Sequence, residues 1–344
     1  MPVKTLIWKE HGLEIIDQRL LPTVEKNALL RTVDEVAMAI ETLAVRGAPA
    51  IGVAAAYGVV IAARENTDVA FVRSSIERLR KTRPTAVNLF YALDRMAGEL
   101  NEAFASNDPA GRLLEVAHSI FEEDMRICQT LSAHGAQLLR DGDTVLTHCN
   151  AGGLATSGYG TALGIIYAAR EEGKQISVYA DETRPLLQGA RLTTWELVKN
   201  DIPVTLICDS MAAEVLRQGV IDHVIVGADR IAANGDAANK IGTYGLSICA
   251  LRHEVPFYIA APLTSFDFSL ESGRDIPIEE RSPEEIHSPF GRRIVPDGIS
   301  FYNPAFDVTP GEHISAIISE KGIARPPFPA SLKSWATPGN TGKP

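Results

Sequence analysis

The sequence predicts an α/β protein in which a mostly helical N-terminal domain with a small antiparallel sheet precedes a domain with a doubly wound parallel sheet. Helical apolar periodicity dominates the chain from Thr32 to Leu138, after three short β-prone runs. From Thr144 onward, short apolar strands alternate with segments of helical period, which is the βαβ pattern of a parallel sheet. We therefore expect a first domain over residues 1–140, a Rossmann-like domain over 141–325 and a partly disordered tail over 326–344.

Length, charge and cysteine usage narrow the class of protein. The 344 residues exceed the usual size of one domain, and 45% hydrophobic with 22% charged residues describes an ordinary globular chain. A formal charge of −10 argues against a nucleic-acid partner, because phosphate backbones are bound by surplus Lys and Arg. No apolar run suits a signal peptide or a membrane span, and the four cysteines lack C-x-x-C spacing. We expect a cytoplasmic protein with reduced thiols and no membrane partner.

The N-terminal domain begins with a predicted hairpin. Thr5–Trp8 and Leu13–Ile16 flank a turn-like Glu-His-Gly sequence, and a third strand is expected near Asn27–Arg31. Asp34 and Glu35 favour a helix that starts just before them, because the helix dipole stabilises acidic side chains in the first turn. The predicted helices of this domain are Thr32–Val45, Gly52–Ala63, Phe71–Leu79, Ala86–Leu100 and Gly111–Leu138.

The second domain has five predicted parallel strands, each followed by a segment of helical period. These strands are Thr144–Thr147, Ile176–Ala180, Val204–Ile207, Val224–Val226 and Pro256–Ile259. No G-x-G-x-x-G sequence opens a helix after any of them, so a nicotinamide cofactor is not implied. The polar motifs contain no His, Cys and carboxylate cluster at metal-ligand spacing, so we expect no metal.

A candidate active-site loop follows the first of these strands. The apolar run Thr144–Thr147 ends near Cys149, and an asparagine and two glycines then form a turn in which backbone can approach a ligand closely. A helix predicted over Gly158–Ala169 would bring N-terminal amides near the thiol, which lowers a cysteine pKa or binds an anion. The alternative is a buried cysteine that fills space. His148 is a poor partner for it, because adjacent residues of an extended segment face opposite sides.

Two arginines precede predicted helix starts in the first domain. Arg46 is followed by Gly47, Ala48 and a proline, so small residues leave backbone amides open beside a guanidinium that binds phosphate bidentately. Arg83 likewise stands before a proline and a helix start. The alternative interpretation is a helix C-cap with a surface arginine for the first motif and a solvated N-terminal turn for the second.

Polar groups also follow the later strands of the second domain. Asp229 comes after a strand, as Cys149 does, so both side chains are expected at one edge of the sheet. Asn239 and Lys240 supply an amide and a cation a few residues further on, and Gln188 lies in a polar loop after another strand. A helix-capping aspartate and an ordinary surface loop are the alternatives.

Four motifs together resemble the methylthioribose-1-phosphate isomerase family of methionine salvage. They are R-G-A-P-A-I-G at Arg46–Gly52, T-H-C-N-A-G at Thr147–Gly152, E-T-R-P-x-x-Q-G-A-R-L-T at Glu182–Thr193 and G-A-D-R-I-x-x-N-G-D-x-x-N-K-I-G-T at Gly227–Thr243. The resemblance extends from about Leu6 to about Pro304, and it is specific because all four motifs occur in order. The wider superfamily includes ribose-1,5-bisphosphate isomerases and regulatory subunits of the initiation-factor-2 exchange factor.

The resemblance implies an aldose–ketose isomerase that converts 5-methylthioribose 1-phosphate to 5-methylthioribulose 1-phosphate without a metal or an organic cofactor. It also implies a homodimer with a small sugar phosphate as its partner. Catalysis is assigned by the resemblance to Cys149 and Asp229. The positions that correspond to substrate contacts are Arg46, Gly47, Ala48, Arg83, Gln188, Asn239 and Lys240.

This substrate poses a chemical problem, because its anomeric oxygen is esterified and the sugar cannot open to a free aldehyde. An acid must protonate the ring oxygen as the ring breaks, and Asp229 is the candidate, provided that burial raises its pKa. Cys149 would assist the transfer of hydrogen from C2 to C1, as a base or by stabilising charge. An enolate route and a hydride shift both fit these residues.

Three alternatives remain from the sequence. A regulatory module of the exchange-factor class would share the fold but would not need Cys149 and Asp229 together. A ribose-1,5-bisphosphate isomerase would keep both residues and replace the methylthio pocket with a second phosphate site. A cysteine hydrolase would need a histidine base, which the sequence does not place.

Overall fold

The computed structural model describes residues 3–84 and 86–336. The chain forms two compact units: unit 1 is Met1–Thr130 with Ala151–Gly164, and unit 2 is Leu131–Asn150 with Ile165–Pro344. Both units are discontinuous, because the segment that directly follows Asn150 belongs to unit 1. The predicted domain limits at residues 140 and 325 stay a prediction, since these units follow spatial contacts.

Unit 1 contains a small antiparallel sheet. Its strands are β1 (Leu6–Lys9), β2 (Gly12–Ile16) and β3 (Asn27–Leu30), in the order β1-β2-β3. Leu6 pairs with Ile15 and Leu13 pairs with Leu30, so apolar side chains of all three strands join the core of this unit. The predicted hairpin and third strand are confirmed.

Five helices follow in unit 1, and the last of them continues into unit 2. They are α1 (Val33–Glu41), α2 (Ala48–Glu65), α3 (Val69–Arg80), α4 (Val87–Ala105) and α5 (Pro109–Ala136). Helix α1 begins at Val33 because Thr32 and Glu35 form a capping box. It ends at Glu41, four residues before the predicted end, and α2 starts four residues before the predicted Gly52, since proline is tolerated in a first turn.

Helix α2 is the core helix of unit 1. Every residue from Ala50 to Ala63 is buried, and α1, α3 and α4 pack against it. This helix alone, among the described residues, is long and apolar enough to cross a bilayer. Because its sides are covered by protein, these properties are those of a buried core helix.

Unit 2 contains many short strands and helices. The strands are β4 (Thr144–Thr147), β5 (Ser177–Asp181), β6 (Val204–Ile207), β7 (His223–Val226), β8 (Arg230–Ala232), β9 (Ala237–Lys240), β10 (Phe257–Ala260), β11 (Phe266–Asp267), β12 (Phe306–Thr309), β13 (Ala316–Ser319) and β14 (Gly322–Ala324). The helices are α6 (Ala162–Glu171), which starts in unit 1, and α7 (Thr194–Lys199), α8 (Ala212–Arg217), α9 (Thr243–Arg252), α10 (Glu284–His287) and α11 (Phe328–Ser331).

The main sheet of unit 2 has seven strands in the described residues, in the order β14-β13-β10-β7-β4-β5-β6. All neighbouring pairs are parallel except β13 with β14, so the carboxyl ends of six strands share one edge. All five predicted strands lie in this sheet, and the predicted α/β fold class is confirmed. Strands β13 and β14 were not predicted.

A second sheet, also missed by the sequence analysis, has the order β11-β8-β9-β12. Strands β8 and β9 form a hairpin in the stretch after β7, where no strand was predicted, with Arg230 opposite Ala238. Alanine-rich strands of three or four residues carry little β-propensity, so their pairing comes from tertiary context.

The predicted C-terminal tail is packed over its first part. Helix α11 lies within it, and Phe328, Leu332 and Trp335 are buried in the core of unit 2. Disorder was expected at the end of the tail, and residues 337–344 lie outside the described residues.

Candidate active site

Three of the predicted site residues follow neighbouring strands of the main sheet. Cys149 follows β4, Asp229 follows β7, and Gln188 lies beyond β5. Strand β4 pairs with both β7 and β5 in parallel. The residues therefore come after adjacent carboxyl ends of one sheet, the edge where α/β proteins bind ligands.

Cys149 is held by side chains of a neighbouring loop. Its φ is +65°, in the left-handed region. The Cys149 backbone N–H donates to Thr183 Oγ1 at 2.8 Å, and Thr193 Oγ1 donates to the Cys149 carbonyl oxygen at 2.6 Å. The predicted helix start next to the thiol is wrong, because a 3-10 turn over Gly153–Ala155 comes first and α6 begins only at Ala162.

His148, the neighbour of Cys149, has both ring nitrogens engaged elsewhere. Nδ1 contacts Asp181 Oδ2 at 2.9 Å, and Nε2 donates to the Ile241 carbonyl oxygen at 2.9 Å. A carbonyl oxygen cannot donate, so the proton of the His148–Asp181 contact lies between these two side chains. The pair ties the end of β4 to the end of β5 and to the residue after Lys240.

The His148–Asp181 pair is fully buried. Burial disfavours the imidazolium, but the Asp181 hydrogen bond and the charges of Asp181 and Asp209 outweigh it and raise the pKa of His148. One ligand atom from each of these three residues lies within 4.8 Å of the others, the spacing of a metal site. Since both nitrogens of His148 are hydrogen-bonded, a cation would have to displace the contact with Asp181.

Asp229 lies beside the residues predicted to bind phosphate. Its backbone N–H donates to the Ala238 carbonyl oxygen at 2.9 Å, so Asp229 and Asn239 are neighbours across the β8–β9 hairpin. Asn239 is buried, and its amide donates to Thr243 Oγ1 at 3.1 Å. The Lys240 ammonium donates to the Ala305 carbonyl oxygen at 2.8 Å and lies 4.6 Å from the centre of the Phe306 ring.

Gln188 offers a hydrogen-bond acceptor that the described residues do not use. Its side chain is buried, and Oε1 has no hydrogen-bond partner. The residue directly precedes a π-helical turn over Gly189–Thr193, a feature that is frequent at functional sites. A buried acceptor without a partner costs free energy, so a ligand donor at this position would be favoured.

The other predicted contacts lie in unit 1. Arg46 Nε donates to Gln18 Oε1 at 3.0 Å, and Gln18 Nε2 donates to the Leu154 carbonyl oxygen at 2.8 Å. Gly47 is the N-cap of α2 with a φ of +95°, and a Cβ there would lie 2.5 Å from Ala155 Cα. Only glycine fits this position, which leaves the first amides of α2 open beside Arg46.

Arg83 and Ala48 complete the predicted set. Ala48 is the first residue of α2, and Arg83 is partly exposed in the connection between α3 and α4. The predicted residues are therefore divided between the units: Arg46, Gly47, Ala48 and Arg83 belong to unit 1, whereas Cys149, Gln188, Asp229, Asn239 and Lys240 belong to unit 2.

Several residues around Cys149 were not singled out from the sequence. Thr183, Thr193, Asp181 and Glu196 are all buried, and each takes part in hydrogen bonds close to the Cys149 loop. Two of them stand inside the third motif, which was a signal for Thr183 and Thr193. Nothing local in the sequence marks Glu196, which was expected only as part of a helical segment.

Comparison with known proteins identifies the family of the chain. Residues 44–326 match the model of the Initiation factor 2 subunit family. Methylthioribose-1-phosphate isomerase of Acetivibrio thermocellus is 53% identical over 341 residues, which cover 97% of this chain and 100% of that protein. The crystal structure of 5-methylthioribose 1-phosphate isomerase from Pyrococcus horikoshii OT3 has a TM-score of 0.90 at 44% identity, covering 97% of this chain and 95% of that chain.

A second solved structure has a different name. The translation initiation factor eIF-2B, subunit delta, from A. fulgidus has a TM-score of 0.87 at 45% identity, covering 96% of this chain and 98% of that chain. The chain thus belongs to the Initiation factor 2 subunit family. Within that family it groups with the methylthioribose-1-phosphate isomerases, as 51% identity to the Carboxydothermus hydrogenoformans enzyme over 96% of this chain and 98% of that protein also indicates.

Proposed function

We propose that this protein isomerises 5-methylthioribose 1-phosphate to 5-methylthioribulose 1-phosphate. The observation that carries the proposal is 53% identity to an isomerase of that name over 97% of this chain and 100% of that protein. The site supports it as well, since Cys149 and Asp229 follow adjacent parallel strands. The reaction is an intramolecular oxidoreduction, in which C1 of the sugar is reduced and C2 is oxidised.

In the proposed reaction, Asp229 donates a proton to the ring oxygen while the bond from that oxygen to C1 breaks. The hydrogen on C2 then moves to C1, and the C2 hydroxyl loses its proton as the carbonyl forms. Cys149 assists this transfer as a base or by stabilising charge. Deuterium placed at C2 distinguishes the two routes: a hydride shift retains the label at C1, whereas an enolate route allows exchange with water.

Within unit 1, Arg46 and the first amides of α2 are the groups that suit a phosphate. Within unit 2, Lys240 is the corresponding candidate. Arginine and backbone amides suit a phosphate dianion, and the Lys240 ammonium adds a positive charge. Arg83, Gln188 and Asn239 would contact the sugar or the phosphate. The unpartnered Gln188 acceptor fits a sugar hydroxyl, which is a hydrogen-bond donor.

The experiment that tests the proposal is a turnover assay that offers methylthioribose 1-phosphate and ribose 1,5-bisphosphate side by side. We expect turnover of the methylthio sugar to dominate. Preferred turnover of the bisphosphate would identify the alternative isomerase. No turnover of either sugar by folded protein would favour a regulatory role, which the name of the A. fulgidus structure represents.

The reaction is proposed to need no added metal or organic cofactor. Acid–base groups are sufficient to move the protons of an aldose–ketose isomerisation. Dialysis against EDTA should leave turnover unchanged, whereas a loss that zinc or magnesium restores would assign a metal to the reaction. The His148, Asp181 and Asp209 cluster would then be the first place to look for it.

We also propose that the protein is a cytoplasmic homodimer. Helix α9 presents three apolar side chains at helical spacing, and Tyr244, Ile248 and Leu251 are 41%, 43% and 53% exposed in a single chain. An apolar face of this kind suits packing against a second copy of the chain. Light scattering should give the mass of two chains, and Ile248→Asp should shift it to one, whereas Met38→Asp on α1 should not.

The four free thiols fit a reducing compartment, and cell fractionation tests the location.

A further inference from the structure

Cys149 has a backbone conformation that residues with a side chain rarely adopt. Its φ of +65° lies in the left-handed region, where a Cβ is crowded by neighbouring backbone atoms. A conformation of this kind persists only when the surroundings hold it, and it is concentrated at functional sites. Neighbouring groups must therefore hold Cys149 in its left-handed conformation.

Both backbone polar groups of Cys149, the N–H and the carbonyl oxygen, are hydrogen-bonded to threonine hydroxyls. Thr183 accepts from the Cys149 N–H at 2.8 Å, and Thr193 donates to the Cys149 carbonyl oxygen at 2.6 Å. Neither threonine has any exposed surface. The two hydroxyls therefore bind the backbone of Cys149 from both ends and are not available to bind a ligand.

Thr183 is itself fixed by two hydrogen bonds of its own and by one of the next residue. Its hydroxyl donates to the Asp181 carbonyl oxygen at 3.1 Å, which turns a lone pair toward Cys149. Its N–H donates to Asp209 Oδ1 at 2.7 Å, and the next amide, of Arg184, donates to Asp209 Oδ2 at 2.7 Å. Thr183 also has a φ of +65°, so the Asp209 carboxylate stabilises a second left-handed residue.

Thr193 is fixed from the other side of the loop. The Asn150 amide donates to Thr193 Oγ1 at 3.2 Å and to Glu196 Oε1 at 2.8 Å. Tyr167 donates to the other oxygen of Glu196 at 3.1 Å. Thr193 ends the π-helical turn that begins at Gly189, so this irregular turn places the Thr193 hydroxyl within hydrogen-bonding distance of the Cys149 carbonyl oxygen.

We propose that Thr183 and Thr193 are positioning residues that hold Cys149 in its left-handed conformation and thereby aim its thiol for the isomerisation. The proposal rests on the proposed function only for the role of the thiol in turnover. In this proposal the two hydroxyls preorganise Cys149 for the reaction, and the loss of this preorganisation lowers kcat.

Valine tests each threonine, because it has nearly the same shape and lacks the hydroxyl. We expect Thr183→Val and Thr193→Val to lower kcat about 10- to 100-fold while KM changes less than about threefold, since misplacement affects the reacting geometry. The rate at which iodoacetamide labels Cys149 in the folded protein should change by at least about fivefold. Thr183→Ser and Thr193→Ser keep the hydroxyl and should restore both values.

The matched control is Thr309→Val on β12. Thr309 is as buried as the two threonines, but its hydroxyl has no partner among the described residues, so valine should leave kcat and Cys149 labelling unchanged. Wild-type labelling rates and turnover in both folded valine variants would overturn the proposal. If the protein lacks isomerase activity but labelling responds as expected, the positioning role stands and the proposed function fails.

A valine that prevents folding is replaced by alanine at the same position. Amide hydrogen exchange of wild-type Cys149 adds a measurement that needs no variant. The proposal requires exchange that is slowed at least about tenfold relative to an unprotected amide. Exchange of the Cys149 amide at the unprotected rate would contradict it.

Discussion

The backbone N–H of Asp229 donates to the carbonyl oxygen of Ala238 at 2.9 Å. This hydrogen bond joins two positions nine residues apart in sequence and places the proposed acid next to Asn239 and Lys240. The proposed acid and two of the proposed substrate ligands thus belong to one hairpin, so a movement of β9 would displace all three. The variants below separate their contributions.

The proposed catalytic pair gives the first prediction. Cys149→Ser and Asp229→Asn should each lower turnover by roughly 100- to 10,000-fold, because a serine is a weaker base and an amide cannot deliver a carboxyl proton. The double variant should be little worse than the poorer single one, since the residues act in one step. Steady-state kinetics measures this, with Cys249→Ser on α9 as control. Turnover within a few fold of wild type in either single variant would remove that residue from the mechanism.

The second prediction concerns phosphate binding by Lys240. Lys240→Ala should raise the substrate KM and the inhibition constant of inorganic phosphate together, by about 1.5–3 kcal/mol for a lost charge-assisted bond. Lys199→Ala is the control, because Lys199 also lies over an aromatic ring, at 5.4 Å from the centre of Trp195, but in α7. Arg46→Ala should behave as Lys240→Ala does. Unchanged constants in both variants would move the phosphate site elsewhere.

Gly47 gives a prediction about the start of α2. Gly47→Ala should cost about 1–2 kcal/mol for the positive φ and about 1–3 kcal/mol more for the contact with Ala155. Gly142→Ala isolates the first cost, because Gly142 has a similar φ of +91° and no atom within 4 Å of a Cβ. Urea unfolding of both variants measures the difference. Equal losses of stability would mean that the contact with Ala155 relaxes freely.

The His148–Asp181 pair gives a prediction about pH. The pKa of His148 is raised above its ordinary 6.5. Protonated His148 therefore stabilises the folded state fully below pH 6.5, and this stabilisation is lost as the pH rises through the raised pKa. Asp181→Asn should cost about 3–5 kcal/mol near pH 6.5, as expected when one partner of a buried pair is removed. The gap in melting temperature should narrow toward pH 9. Asp297→Asn, at a side chain with 94% exposure, should show no such trend. A gap that widens toward alkaline pH would reverse the assignment.

The four cysteines give a prediction about labelling. Cys208 is exposed, so it is not a core packing residue. The Glu182 carboxylate raises the pKa of the Cys208 thiol by charge repulsion, so its reaction with iodoacetamide should be slow at pH 7 and should accelerate as the pH rises. Buried Cys128 should not react. Peptide mapping should show that substrate protects Cys149 alone, and protection of Cys208 as well would place the substrate elsewhere.

Several strands of the main sheet were predictable from their residue types, whereas the alanine-rich strands of the second sheet were not. Strand β4 is a run with β-branched residues that ends at the candidate loop, and this content locates it. Strands β8 and β9 carry alanine, asparagine and lysine, so their pairing depends on contacts with β11 and β12 that no local pattern encodes.

The same distinction applies to the site. Reactive side chains such as Cys149 and Asp229 are recognisable by chemistry at strand ends. Thr183 and Thr193 lie inside the third motif, but their hydrogen bonds to Cys149 are recognisable only once the conformation of Cys149 is known, because a threonine in a loop has no distinctive pattern. Sequence reasoning therefore proposed the reacting groups and did not single out the two hydroxyls that are proposed to orient one of them.

The return of Ala151–Gly164 to unit 1 has a consequence for synthesis of the chain on the ribosome. Thr5 Oγ1 donates to the Gly153 carbonyl oxygen at 2.7 Å, and Gln18 donates to the Leu154 carbonyl oxygen. These contacts beside the first strands cannot form until residues more than 130 positions later have been synthesised. Unit 1 is unable to complete its packing until β4 and the Cys149 loop have left the exit tunnel. The packing around Thr5 and Gln18 is therefore completed only after the Cys149 loop has been made.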